Sequence, residues 1–190
     1  MNIPVTRAAE GLARRAFTVD EILRMVDAGI IAEDENFELI EGEVVPMSPK
    51  GNRHEILKSA LTVMIAKHVP QNIRLGVETS VYLDQHTFLE PDLCLYSKEL
   101  LPREVKGPDL LLAIEVAGSS LGYDRGLKAR IYAKHGVREL WVVNAANRVT
   151  WVHKQPGIDG SWGSIEERPA DSALSTHVLR RLEIRMADLE

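Results

Sequence analysis

A single cysteine, Cys94, occurs in this chain of 190 residues. That excludes an internal disulfide framework and any zinc site built from clustered cysteines, and it agrees with a reducing compartment, so the expected location is the cytoplasm. No apolar run approaches the roughly 18 residues that a membrane span needs. The N-terminus mixes Arg7, Glu10, Arg14 and Arg15 where a signal peptide would carry a continuous apolar core. The reading is a soluble, unexported chain with no membrane partner. An excess of positive charge is also missing. At a net charge of −5, the chain as a whole repels nucleic acid, and contact with a phosphate backbone would need a local basic surface. Residues 98 to 138 offer one candidate, where Lys98, Arg103, Lys106, Arg125, Lys128, Arg130, Lys134 and Arg138 outnumber Glu99, Glu104, Asp109, Glu115 and Asp124. No P-loop, dinucleotide fingerprint, zinc-protease motif or nucleophile elbow is present. His68, His86, His135, His153 and His177 have no metal-ligand spacing and read as structural.

What is there is enough apolar sequence, 45%, to bury one sizeable core, so residues 1–190 are expected to form one domain with 1–17 as a loosely ordered extension. Thr18 and Glu21 have capping-box spacing ahead of Val19, Ile22, Leu23 and Val26, predicting a helix over 18–28 that stops at Gly29. FELIEGEVVPM predicts a hairpin around Glu41 and Gly42, ended by Pro46 and Pro49. From His54 to His68 the apolar residues recur at helical spacing. Alternation from Ile73 predicts a strand that continues with breaks to Leu83. Further strands are expected over 92–96, 109–117, 139–144 and 148–153, with a helix over ARIYAKHG that Gly136 terminates. Pro156, Gly157, Gly160 and Gly163 mark a loop before a last strand. The near-continuous apolarity of LLLAIEV predicts burial on both faces. The coarse class is a mixed α+β (α/β) fold, a central mixed sheet flanked by helices.

Two strands carry a residue that does not belong in a dry core. Asp92, in EPDLCLY, and Glu115, in LLAIEVAGSS, are carboxylates in or beside apolar runs. An isolated ionised carboxylate there is costly, so such groups either lie at wet strand ends or meet cations and donors. A divalent metal would answer for both. Magnesium takes carboxylate, carbonyl and water oxygens, and needs few protein ligands when a phosphate supplies more. Asp92, Glu115 and the main-chain carbonyl of Val116 make such a set. Downstream, Asp124 and Lys128 are spaced to share a helical face. If that face meets the strand ends, the Lys128 ammonium can stabilise charge developing during phosphodiester cleavage or help to position water.

The order PD, then EV, then D-x-x-x-K, then Y-x-x-x-GV-x-E-x-WVV is carried here by Pro91, Asp92, Glu115, Val116, Asp124, Lys128, Tyr132, Gly136, Val137, Glu139, Trp141, Val142 and Val143. It resembles the Uma-two family of restriction-endonuclease-like proteins, within the PD-(D/E)XK nuclease superfamily, and the likeness extends upstream through ELIEGEVVPMSP and His54. The resemblance implies a restriction-endonuclease-like fold with metal-binding acids on adjacent strands, DNA as substrate, Mg²⁺ as cofactor with Mn²⁺ able to substitute, and a homodimer for double-strand cuts. It also implies supporting places for Glu41, His54 and Asp124. The chain departs from the pattern at Ala117, where the superfamily lysine would stand, so that role passes to Lys128. It departs again at Gly118-Ser119-Ser120 and at Asn144.

Each residue has a plainer reading. Asp92 could start a strand after proline, Glu115 could pair with a surface arginine, and Lys128 could form an ordinary helix ion pair with Asp124. Glu41 could simply occupy a turn and His54 open a helix. Glu78 reads as a solvated residue and Cys94 as a small buried hydrophobe. The leading expectation is a magnesium-dependent endonuclease in which Asp92 and Glu115 hold the metal and Lys128 stabilises the transition state. The alternative is a nuclease-fold module that binds nucleic acid or regulates, with little or no turnover.

Overall fold

In the computed structural model, which describes residues 5–7, 11–47, 49–179 and 183–189, the chain begins with a ribbon of β1 (Val5–Arg7) and β2 (Ala13–Arg15). Part of the segment read as a loose extension is thus paired strand, while residues 1–4 and 8–10 lie outside the described residues. Helix α1 (Val19–Asp27) starts with the expected capping box: the Glu21 N–H donates to the Thr18 hydroxyl oxygen at 3.2 Å, and the Thr18 N–H donates to Glu21 Oε2 at 2.9 Å.

The predicted hairpin is β3 (Phe37–Ile40) and β4 (Glu43–Pro46). Its turn has two residues, Glu41 at φ 49° and Gly42 at φ 87°, the pair of positive φ angles that matches the twist of a tight hairpin. Helix α2 (Asn52–Ala66) follows. The interrupted strand from Ile73 proves to be two strands in two sheets, β5 (Ile73–Val77) and β6 (Val81–Asp84). The break lies at Glu78, whose φ of 46° turns the chain out of the first sheet. β7 (Thr87–Leu89), too short to show a period, was not expected; β8 (Leu93–Ser97) was.

The run expected as a strand from 109 begins instead with a 3₁₀ turn, Gly107–Asp109, because Pro108 has no N–H to give a ladder and Asp109 turns back to accept the Lys106 N–H. β9 (Leu112–Ala117) is buried at every position. A helical turn α3 (Leu121–Tyr123) leads through a wider π-type segment, Asp124–Lys128, into α4 (Ala129–Lys134), which stops before Gly136 at φ 77°. β10 (Glu139–Asn144), β11 (Thr150–Pro156) and β12 (Trp162–Arg168) follow, and the glycine-rich loop is the turn between the last two. A short pair, β13 (Ala173–Leu174) and β14 (Ile184–Arg185), ends the chain.

Six strands form the large sheet in the order β12-β11-β10-β9-β8-β5, with β9 and β10 parallel and the other neighbours antiparallel. The small sheet runs β4-β3-β7-β6. Alternation along β9 sends Leu112, Ile114 and Val116 to one core with Leu57, Leu61 and Ile65 of α2. Ala113 and Ala117 face a second core with Ala129, Ile131 and Tyr132 and with Ile40, Val81 and Leu89 of the small sheet. α1 covers the far side of that sheet through Val19 and Ile22 against Leu39 and Phe88. The layers are therefore α2, large sheet, α4 beside the small sheet, and α1. Among the described residues no helix is long and apolar enough to cross a membrane.

The hairpin turn also anchors the chain that enters α1, since the Phe17 N–H donates to the Gly42 carbonyl at 2.9 Å. A Cβ at Gly42 would lie 2.5 Å from that of Ala16, at a positive φ that side chains avoid. Gly42→Ala is therefore expected to lose about 1–3 kcal/mol, read as a lower midpoint in urea unfolding; an unchanged midpoint would show that this close approach is not maintained.

Candidate active site

The β8–β9 pairing sets Leu93 against Ile114, so one step further along the ladder Asp92 meets the region of Glu115 and Val116 at the strand ends. The Asp92 carboxylate accepts the Val116 N–H at 2.8 Å, faces His54 Nε2 at 3.0 Å, and takes the Lys50 ammonium at 3.3 Å. His54 is placed by the first turn of α2, and its Nδ1 faces Glu55 at 3.1 Å. On the other side, Glu115 accepts the Tyr132 hydroxyl at 2.6 Å and the Lys128 ammonium at 3.0 Å. Lys128 also reaches Glu38 of β3 at 2.7 Å. Glu38 in turn accepts the Glu90 N–H at 2.9 Å and the Tyr123 hydroxyl at 3.2 Å. Asp92, Glu115 and Lys128, with Glu38, His54 and Asp124, border one cavity of about 590 Å³.

The wide turn at Asp124–Lys128, closed by the Ala129 N–H on the Asp124 carbonyl, alters the pairing that the sequence spacing predicts. Asp124 accepts the Ser120 hydroxyl at 2.6 Å, while Lys128 pairs with Glu38 and Glu115 rather than with Asp124. One extra residue in the turn changes the side-chain register; such π-type turns recur at functional sites.

The two strand acids sit in opposite electrostatic settings. Burial opposes charge on Asp92, yet His54, the Val116 N–H and Lys50 outweigh it and hold the carboxyl below its usual range. Burial drives Glu115 well above the usual range; Lys128 pulls it back only in part, and Asp124, Asp92 and Glu38 add repulsion. Asp124 and Glu90 are raised too, chiefly by burial. For Lys128 burial disfavours the charge, but Glu115, Glu38 and Asp124 together overcome it and raise the ammonium above its ordinary value. One buried ammonium thus serves two buried carboxylates.

That surplus of negative charge suits a cation. Among the described residues no three acidic, histidine or cysteine side chains form a ready-made cage, but magnesium commonly takes one or two protein carboxylates and keeps water for the rest. Asp92 and Glu115 are the carboxylates that could supply them, and positive charge beside Glu115 would relieve the cost of its burial. Val116 is seen to act through its N–H, which fixes Asp92.

Of the residues singled out from sequence, Asp92, Glu115, Lys128, His54 and Asp124 are brought together, and Glu41 is not. Glu41 stays on the exposed hairpin turn, where it pairs with Lys134 at 2.9 Å; the hairpin acid that enters the site is Glu38, on the inward side of β3. Glu78 is not a freely solvated residue, because it receives both Lys50 and, at 2.5 Å, Lys58. Cys94 is buried in the core and its thiol is pushed up to about 12 by burial. Sequence reasoning passed over Glu38, Lys50 and the bond from Tyr132 to Glu115. The signal for Glu38 was present: it lies between Phe37 and Leu39 in a strand that is otherwise apolar. The basic run at 98–138 is dispersed: Lys128 is buried, Lys134 holds Glu41, Arg125 stacks 3.8 Å over the Trp151 ring, and Lys106 bonds the Tyr82 carbonyl.

A mixed sheet flanked by helices, with acids at the ends of adjacent strands and a lysine brought in by a neighbouring helix, defines a restriction-endonuclease-like protein. A family model, Uma2, described as "Putative restriction endonuclease", matches residues 19–187, and the chain belongs to that family. No curated protein matches the chain. Among solved structures it is similar to a "putative nuclease belonging to DUF820" from Anabaena variabilis ATCC 29413, with a TM-score of 0.70 and 17% identity over 91% of this chain and 97% of that one. At that identity the likeness establishes the shared fold.

Lys128→Met leaves Glu38 and Glu115 buried without their cation and is expected to cost about 3–5 kcal/mol. Glu115→Gln keeps Lys128 paired with Glu38 and is expected to be tolerated better. The raised affinity of Glu115 for its proton means that the folded state holds that proton as pH rises past the ordinary carboxyl range, so its contribution to stability falls with rising pH through the folded value. Urea unfolding at pH 5 and pH 8 checks both points: the gap between Glu115→Gln and wild type should shift in favour of the variant at pH 8. A Lys128→Met protein as stable as wild type would contradict the assignment.

Proposed function

We propose that this protein is a magnesium-dependent endonuclease that hydrolyses phosphodiester bonds in DNA. The observation that carries the reading is the convergence of Asp92, Glu115 and Lys128 on one cavity in a chain of the Uma2 family. Asp92 and Glu115, joined by the carbonyl of Val116, would hold Mg²⁺, and Mn²⁺ would substitute. When bound, the ion supplies Lewis-acid polarisation of the phosphate and lowers the pKa of the attacking water. The chain's own residues set the stage for that chemistry. The Val116 N–H and His54 aim the Asp92 carboxylate and keep it ionised. Lys128 holds Glu115 in place and contributes a fixed positive field where charge develops on the phosphoryl oxygens. Tyr132, at 2.6 Å from Glu115, fixes the other side of that carboxylate. A double-strand cut needs two such centres, and a homodimer belongs to the same proposal.

One observation favours a second reading, a binding or regulatory module with little turnover: each strand acid already has an internal cation, Lys50 on Asp92 and Lys128 on Glu115. Plasmid cleavage in Mg²⁺ or Mn²⁺ separates the two. Wild type is expected to nick, and Asp92→Asn and Glu115→Gln proteins that retain wild-type circular dichroism should lose activity by about 100-fold or more, as when a transition-state electrostatic contact is removed. DNA binding without cleavage by wild type under any metal would favour the module.

A further inference from the structure

Lys128 cannot easily be the cation that meets an incoming anion. Its side chain is 4% exposed and pinned between Glu38 and Glu115, whereas the Lys50 side chain is 24% exposed and borders the same cavity. An ammonium has three N–H donors. Glu78 takes one from Lys50, and Asp92 is its ion-pair partner at 3.3 Å, which leaves at least one donor for a ligand in the cavity.

Glu78 has the features of a residue held in place for this purpose. It sits at the end of β5 in the left-handed region, at φ 46°, which side chains rarely adopt. Its N–H donates to the Asp92 carbonyl at 3.1 Å, tying the turn to the site. Its carboxylate accepts Lys50 and Lys58; Lys58 continues to Glu55 at 2.9 Å, Glu55 to His54, and His54 back to Asp92. The six side chains close a ring of alternating acidic and basic groups that starts and ends at Asp92. Within it Asp92, His54 and Lys50 border the cavity, and Lys50 is the ammonium among them, held from behind by Glu78; its contact with Asp92, at 3.3 Å, is the looser of its two.

We infer that Lys50 is the residue that receives the substrate's phosphate in this site, and that Glu78 is the positioning residue that presents it. The inference rests on the nuclease reading and names the contact that reading lacks: a phosphodiester oxygen takes the free donor of Lys50 beside Asp92, while Glu78 keeps the ammonium at the cavity wall.

The test uses the full chain and four variants, Lys50→Met, Lys50→Arg, Glu78→Gln and Glu78→Asp. Steady-state plasmid cleavage gives kcat and KM, and fluorescence anisotropy with a labelled oligonucleotide duplex in Ca²⁺ gives Kd. Losing one charge-assisted hydrogen bond should raise Kd and KM for Lys50→Met by about tenfold, with a much smaller effect on kcat. Lys50→Arg should recover most of the loss. Glu78→Gln should shift KM the same way and Glu78→Asp should restore it. Combined with Lys50→Met, Glu78→Gln should add little, because it acts through the lysine; a merely structural role would give an additive loss. If wild type cuts and Lys50→Met has wild-type KM and Kd, the inference falls and the nuclease reading stands. If wild type neither cuts nor binds the duplex, both fall together.

Discussion

Three layers of the fold meet at one ammonium. Lys128 comes from the wide turn ahead of α4, Glu115 from the central strand of the large sheet, and Glu38 from the small sheet. Two buried carboxylates on separate sheets would repel each other across the interface, and the buried cation converts that repulsion into attachment. Such a triad is a poor route to stability, since apolar residues of similar volume often do as well or better. Its presence among cores of aliphatic and aromatic side chains is explained more readily by the position it fixes. The small sheet is held against the strand ends, and the cavity lies where the two meet.

The same arrangement separates the two acids. Asp92 has more than enough positive charge and donors around it and stays ionised; Glu115 shares its one ammonium with Glu38 and is driven toward protonation by burial and its acidic neighbours. Carboxylates whose environments push them apart are a recurrent basis for dividing roles within a site. Both sides depend on contacts between elements distant in sequence: Asp92 meets His54 and the Val116 N–H, 38 and 24 residues away, and Glu115 meets Tyr132, 17 residues away, and through Lys128 the Glu38 carboxylate of the small sheet.

That dependence on tertiary contacts sets the limit of what could be read from the sequence. Regular alternation and capping chemistry predicted α1, the tight hairpin and the central strands, and the order of PD, EV and D-x-x-x-K pointed to Asp92, Glu115 and Lys128. The pairings among them were not legible, because they are set by tertiary geometry. Glu38 and Glu41 lie in the same short hairpin, and only the inward side of β3 distinguishes the buried one from the exposed one. The pairing of Lys128 with Asp124 followed from ideal helical spacing, and a π-type turn, which leaves no mark in apolar periodicity, redirected the lysine. Glu78 read as solvated because its lysine partners are 20 and 28 residues away in sequence. The split of the strand after Val77 was hidden for a related reason: only the left-handed backbone at Glu78 shows where the chain changes sheets.

An acidic protein that acts on a polyanion must place its positive charge economically. This chain has a net charge of −5, and several of the cations in its most basic stretch are occupied by Glu41, Trp151 or main-chain carbonyls away from the cavity. Long-range attraction therefore gives little help, and recognition on the proposed reading has to come from a few cations inside or at the edge of the site. The structure separates these by access. Lys128 is inaccessible and serves as fixed charge; Lys50 is accessible, yet prevented from drifting into solvent by an acid whose own backbone is strained to reach it. A lysine free in solution would lose side-chain entropy on binding a phosphate. One already held at the cavity wall has met much of that cost during folding, so a single such contact can count for more than its charge alone would indicate.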